Sequence, residues 1–274
     1  MPWRSGASAD PPFGTWRGRP LDVRVVGVQH DTWAQMLKQL SGSFFRNNCT
    51  QTPLCVVSLP MFPRSNAGQH QQCAGGSFDE NHREIARKIA AVRSNAIVRL
   101  GWEANSSGNH PWRIGSASSI PAYRQCFQRL ARIHKAQGLR IEWTNAKNGP
   151  IDELASYPGD DVVDFWGVHY YDSGPKKSTQ ATWDSYVDRT AYGLNWWLAQ
   201  AKQRGKKLAV PEWGVWKNGE PNPDNPVYIA NMFRWFQANA ADIAYENYYN
   251  KKNLHELYPG TEFPKARAEY SRLW

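Results

Sequence analysis

Ile97-Val98-Arg99-Leu100-Gly101-Trp102-Glu103-Ala104-Asn105 reads as a buried β-strand that delivers a carboxylic acid, flanked by tryptophan and asparagine, to an open end. Side chains alternate along a strand, so Val98 and Leu100 face one side while Arg99, Gly101 and Glu103 face the other. One apolar face and one ionic face suit the wall of a parallel barrel, where catalytic groups gather at the carboxyl ends of strands. A surface strand with a merely solvated Glu103 is the competing reading. A second carboxylate in a similar setting, Glu212 in Pro211-Glu212-Trp213-Gly214, argues against it.

Outward from this stretch, compact β-branched or aromatic runs at 3–6, 22–28, 54–60, 139–145, 162–172, 207–214 and 243–249 supply seven further strand candidates. Between them lie helical patterns. Asp31 caps a short one reaching residue 40, and Ile85, Ile89 and Val92 mark another over 79–94. Pro121 opens a third that carries Tyr123, Phe127, Leu130 and Ile133. A single long helix is expected over 182–204, and Asn225-Pro226 starts a last one with Ile229, Met232, Phe233 and Phe236 inward. Strands alternating with helices, and no repeat or linker to divide the chain, predict one domain over 1–274, a (β/α)8 TIM barrel in which the opening stretch is the fourth strand. The first strand is short and its helix nearly absent, which leaves a seven-stranded or broken barrel open. Asp10-Pro11-Pro12-Phe13-Gly14 reads as a turn, and the Gly-, Gln- and Asn-rich stretch 61–77 as a long functional loop.

Aromatic residues make up 13% of the chain against a hydrophobic total of 41%, with 14 Trp, 12 Tyr and 10 Phe. Such rings pack cores and also stack on sugars and bases. The net charge of +9 favours an anionic partner, but the basic residues are scattered, in pairs such as Lys176-Lys177, Lys206-Lys207 and Lys251-Lys252. Without a basic stripe, nucleic acid is not expected, and an acidic polysaccharide fits the charge at least as well. Cys49, Cys55, Cys73 and Cys126 lack metal-finger spacing. With Cys49 in a loop-like stretch at 46–50, they suit one or two disulfides and an oxidising compartment, or else four free thiols. No run approaches membrane-spanning length and no leader precedes the first strand, so the expectation is a secreted or periplasmic mature chain, monomeric and without a membrane partner. No cofactor is implied, and no metal either, because His169 with Asp172 lacks a third ligand.

Glu103 and Glu212 would sit at the ends of strands four and seven, each beside tryptophan. Two carboxyls across a sugar-sized cleft are what cleavage of a glycosidic bond requires. One must hold a proton for the leaving oxygen, and the other must stay ionised to attack the anomeric carbon. Trp102 and Trp213 offer apolar walls for that division of labour.

With Tyr157-Pro158-Gly159-Asp160-Asp161, Gly167-Val168-His169-Tyr170-Tyr171-Asp172 and Asn247-Tyr248-Tyr249-Asn250, the pair resembles the retaining glycoside hydrolases of the large (β/α)8 clan, closest to family 26, the β-mannanases and relatives. The resemblance runs from Gly18-Arg19-Pro20 through Glu212-Trp213-Gly214 and the 247–250 run. It implies that Glu103 is the general acid/base and Glu212 the nucleophile. It also implies that Asn105 contacts substrate, that Tyr171 hydrogen-bonds the nucleophile, and that Trp143 with Asn145 forms a subsite. Where that family usually has His before the acid/base the chain has Trp102, and where strand six often carries an acid it has His169, so the resemblance carries the reaction type and not the sugar.

Other residues join as candidates on their own chemistry. Arg99 either positions Glu212 or neutralises the two acids from within the barrel. His169 either meets a sugar hydroxyl or packs. Trp112, Trp216 and Tyr248 are sugar platforms or core, and Glu142 and Glu246 are strand-end acids that rank behind the pair. The reading that follows is an endo-acting retaining β-glycoside hydrolase on β-mannan, β-glucan or a bacterial exopolysaccharide. A barrel that binds glycan without cutting it and a lyase on an acidic glycan are the alternatives.

Overall fold

The computed structural model describes residues 1–8, 12–174, 177–189, 193–218 and 223–274. Eight parallel strands close into a barrel in chain order: β1 (Ser5–Ala7), β2 (Val23–Gly27), β3 (Leu54–Leu59), β4 (Ile97–Leu100), β5 (Arg140–Ala146), β6 (Phe165–Tyr171), β7 (Lys207–Gly214) and β8 (Ile243–Tyr248). The short first strand therefore takes its place and the ring is complete. Contacts gather in two compact units, one of residues Met1–Val23 with Val168–Trp274 and one of residues Arg24–Gly167.

In the Arg24–Gly167 unit, β3, β4 and β5 run in register, Ser58 beside Arg99 beside Glu142, and every residue of β3 and β4 is buried. Strands buried on both faces read as continuous apolar runs, which is why 54–60 and 97–100 stand out in the sequence. The helix Ile120–Lys135 covers this sheet with Tyr123, Cys126, Phe127, Leu130 and His134, a three-and-four spacing that keeps one face inward. Expected outlines change in four places. The helix Trp33–Ser41 is capped by Thr32, whose hydroxyl accepts from Gln35 N–H at 3.2 Å, rather than by Asp31. The stretch 46–50 lies in a helix, Ser43–Thr50. The 61–77 segment holds a 3₁₀ turn, Arg64–Asn66, and a helix, His70–Ala74. The opening strand stops at Leu100, so alternation does not extend to Glu103. The cysteines form two disulfides, Cys49–Cys55 and Cys73–Cys126, and the second ties the His70–Ala74 helix to Ile120–Lys135.

In the other unit, β8 lies between β1 and β7. A side chain at Gly6 would sit 2.5 Å from the Val23 carbonyl, so only glycine lets the short β1 approach β2. The β7–β8 register breaks between Val210 and Trp213, around Pro211. Proline has no N–H to give the ladder, and such an irregularity re-aims the next side chain, here Glu212. The helix expected over 182–204 is two, Gln180–Val187 and Leu194–Gln203. At Gly193 a side chain would lie 2.1 Å from the Val187 carbonyl, a close approach that a continuous helix does not make. Residues 190–192 of the expected helix, Asp10-Pro11 of the expected turn and Lys176 lie outside the described residues. Among the described residues, no helix is long and apolar enough to cross a membrane.

Candidate active site

At the end of β4 the backbone turns through two left-handed residues, Gly101 (φ 52°) and Glu103 (φ 53°). A side chain at Gly101 would lie 2.5 Å from Met61 Cγ, so glycine is required there for space as well as conformation. A non-glycine residue at positive φ is strained and persists only where its surroundings hold it. They do: Glu103 N–H donates to Thr144 O at 2.8 Å, Ser106 N–H to Glu103 O at 3.0 Å, and Ile114 N–H to Ala104 O at 2.8 Å. Asn105 is fully buried, and its amide exchanges hydrogen bonds with the Ala146 backbone at 2.8 and 3.0 Å. The asparagine expected to meet substrate thus clamps the turn to β5.

The Glu103 carboxyl meets His110, Nε2 to Oε2 at 3.3 Å. The His110 ring lies flat on Trp112, 5.0 Å between centroids and 15° between planes, and Trp112 donates its indole N–H to Trp102 O at 2.8 Å. Trp112 is completely buried and so is not an open sugar platform; Trp102, half-buried, remains accessible. Arg99 donates to Ser58 Oγ through Nε at 3.0 Å and Nη2 at 2.6 Å, with its guanidinium 5.3 Å over the Trp102 ring. Half-buried His30 stands edge-on to Trp112 at 5.8 Å with Arg64 Nη2 3.4 Å away, and burial first, then Arg64, holds its pKa below the usual histidine range. Trp143 is buried and donates to Tyr123 Oη at 3.1 Å, which makes it core rather than subsite. Asn145 is buried too, and its Nδ2 has no partner among the described residues. Glu142 is fully buried and accepts from Thr144 Oγ1 at 2.5 Å.

At the end of β7, Glu212 has a separate set of partners. Tyr171 donates its hydroxyl to Glu212 Oε2 at 2.7 Å, and His169 Nε2 lies 3.6 Å from Oε1. These two are spaced i, i+2 on β6 and so share a face. The Tyr171 ring is stacked on His255 at 4.6 Å and 19°, and half-buried Trp216 packs against both at 5.2 and 5.0 Å. His255 Nδ1–H donates to Val215 O at 2.5 Å; burial lowers its pKa, and the charge of Glu212 pulls the other way. Trp213 does not wall this carboxylate. As the next residue on the strand it faces the other way, fully buried, with its indole N–H on Glu246 Oε2 at 2.6 Å. Tyr248 is also core, its hydroxyl donating to His255 O at 2.9 Å. Glu246, held by the indoles of Trp213 and Trp274 and pushed up in pKa by burial, is a structural acid.

The candidates therefore sort into Glu103 with Trp102, Arg99 and His110, and Glu212 with Tyr171, His169, Trp216 and His255. Asn105, Trp112, Trp143, Trp213 and Tyr248 stand behind them as support. The sequence reading missed His110 and His255. His110 closes the Ser- and Asn-rich run that follows Glu103, and His255 follows Tyr248 by the same separation of 7 residues. A polar loop returning a histidine toward a strand-end acid is the only signal the sequence offered. Among the described residues no group of three or more His, Cys, Asp or Glu is arranged to hold a metal ion.

No family model matches the chain. Among solved structures, the fold resembles GH26C of Muricauda sp., with TM-score 0.66 and 16% identity over 99% of this chain and 84% of that one. It also resembles the catalytic domain of a GH26 endo-β-1,4-mannanase of Bacillus sp., with TM-score 0.62 and 15% identity over 98% and 85%. Among curated proteins, Endoglucanase H of Acetivibrio thermocellus is 28% identical over 121 residues, 40% of this chain and 13% of that protein. Beta-1,3-xylanase TXYA of Vibrio sp. is 24% identical over 149 residues, 53% of this chain and 29% of that protein. The chain thus matches less than a third of the length of either curated relative.

Proposed function

We propose that this chain is an endo-acting β-glycoside hydrolase that cleaves a polysaccharide with retention of configuration, using Glu103 as acid/base and Glu212 as nucleophile. The observation that carries the reading is that both strand-end glutamates are partly exposed acids held by hydrogen-bonding side chains, while Glu142 and Glu246 are sealed in the core. In the first step the Glu212 carboxylate attacks the anomeric carbon as protonated Glu103 gives its proton to the departing glycosidic oxygen. In the second, Glu103, now ionised, takes a proton from water as that water attacks the same carbon and releases Glu212. Tyr171 secures Glu212 Oε2, with His169 Nε2 3.6 Å from Oε1, and so fixes the plane of the carboxylate that attacks. Trp102 and Trp216, the half-buried indoles of the two sets, serve as sugar platforms.

The names of the similar proteins, a mannanase, an endoglucanase and a β-1,3-xylanase, support a β-linked polysaccharide without selecting one. The net charge of +9 adds weight to a chain bearing acidic sugars. Two disulfides support an exported protein. The deciding experiment is a reducing-sugar assay over mannan, glucan, xylan and bacterial exopolysaccharides with the wild type and Glu212→Ala. Activity on one of them, abolished in a variant of unchanged circular dichroism, is expected. Activity retained by Glu212→Ala would refute the assignment, a panel bound but uncut would favour a glycan-binding barrel, and a product absorbing as an unsaturated uronate would favour a lyase.

A further inference from the structure

The contact between His110 and Glu103 is built with more support than a surface ion pair has. Six residues, 104–109, separate the two, and the returning end is secured from behind. The Pro111 carbonyl accepts from Gly68 N–H at 2.9 Å, and the Trp112 carbonyl accepts from His70 Nε2–H at 3.0 Å. His70 and Cys73 share one short helix, fastened by Cys73–Cys126. The Trp112 indole is fixed to Trp102 O, and the stacked His110 ring lies flat on it, which aims Nε2 at the carboxylate. Gly108 N–H on Ser106 Oγ at 3.1 Å tightens the intervening turn.

From this arrangement we infer that His110 is the positioning residue of Glu103: with its hydrogen on Nε2 it donates to Oε2 and steadies the ionised carboxylate in one plane. The inference rests on the reading of Glu103 as acid/base. In a double displacement that group is ionised for half of each cycle, so a fixed donor keeps it ionised and correctly aimed for the step in which it acts as base and keeps its plane constant when it acts as acid. Among the described residues, other charged or titratable groups around this corner include Arg99 over Trp102, His30 beside Trp112, Arg64 with Asp31 at 3.6 Å, Arg113 on Ser107 O, and Glu153 beside Asn105. His30 is kept neutral by burial and Arg64, and Arg64 is shared with Asp31, so neither replaces the hydrogen bond from His110.

The test uses His110→Phe, which keeps the stack on Trp112 and removes the N–H, and His110→Gln, which restores a donor. In both and in the wild type, the Glu103 carboxyl is titrated by ¹³C NMR with [δ-¹³C]glutamate labelling, a readout that needs no substrate. Loss of a hydrogen bond to the charged form should raise the Glu103 midpoint by about one pH unit in His110→Phe, with partial return in His110→Gln. On a cleaved polysaccharide, kcat should fall about tenfold in His110→Phe with KM little changed, while a dinitrophenyl glycoside, whose leaving group needs no proton, loses much less in the first step. A Glu103 titration identical in all three proteins would overturn the inference, even in an active hydrolase. A shifted titration in a protein inert toward every polysaccharide would uphold the contact and overturn the hydrolase reading instead.

Discussion

Acid should destabilise this protein through a buried histidine pair, and the size of the effect follows from the structure. His82 and His134 are fully buried, with His82 Nδ1 3.0 Å from His134 Nε2 and His82 Nε2 2.8 Å from Met61 O. A carbonyl only accepts, so His82 carries its hydrogen on Nε2 and its Nδ1 accepts from His134 Nε2–H, which leaves His134 Nδ1 a bare, buried acceptor without a partner among the described residues. Both rings are therefore neutral, and burial pushes His82 from 6.5 down to about 4, with His134 lowered too. In the unfolded chain both bind protons below about pH 6.5, whereas in the folded chain His82 refuses its proton until about pH 4 and burial depresses His134 as well, so stability is present above pH 6.5 and is lost as pH falls from there toward 4. At about 1.4 kcal/mol per pH unit, His82 alone removes about 3 kcal/mol between pH 6.5 and 4. Glu153, whose carboxyl burial raises to about 7, works in the opposite direction between its unfolded value and 7, so the comparison must be between variants. Urea unfolding at pH 7 and pH 4.5 for the wild type and His82→Gln/His134→Gln measures this directly. The double variant, even if less stable at pH 7, should lose at least 2 kcal/mol less between the two pH values. An equal loss in both proteins would refute the reasoning. Because Met61 also packs under Gly101, acid loosening should reach the Glu103 turn.

Two further outcomes follow. Tyr171→Phe removes a charge-assisted hydrogen bond of 2.7 Å to Glu212, worth about 1.5–3 kcal/mol, so kcat should fall roughly 10- to 150-fold with a thermal midpoint within a few degrees of wild type, checked by steady-state kinetics and calorimetry. Cys73→Ser/Cys126→Ser opens a loop of sequence separation 53 and should cost about 3–4 kcal/mol in chemical unfolding, with the activity of the folded fraction reduced because His70 and hence Trp112 lose their anchor.

The barrel was legible in the sequence because its central strands are short apolar runs alternating with helical patterns, and because Gly101-Trp102-Glu103 and Pro211-Glu212-Trp213 end two of them in acids. The Tyr171 hydroxyl and Glu212 share a hydrogen bond, the contact the resemblance implies between those positions. The aromatic candidates divided according to facts that composition does not carry. Period-two alternation alone sends Trp213 away from Glu212, and its indole serves a core acid instead. Trp112 has an acceptor in the Trp102 backbone, and Trp143 one in Tyr123, partners visible only once the chain is folded. The end of β4 at Leu100 was hidden because a left-handed pair at Gly101 and Glu103 depends on Met61 and Thr144, remote in sequence. His110 and His255 escaped notice for the same reason, since each is brought to its glutamate by a loop whose path is set by tertiary hydrogen bonds.

The proposed cooperation of Glu103 and Glu212 at one anomeric centre is tested most directly by ¹H NMR of the first sugar released from a cleaved β-linked oligosaccharide, read before mutarotation. Carboxyls about 5–5.5 Å apart give a β-configured product by double displacement, and that is the result this account predicts. An α-configured first product would mean a single displacement by water across a wider gap and would contradict it.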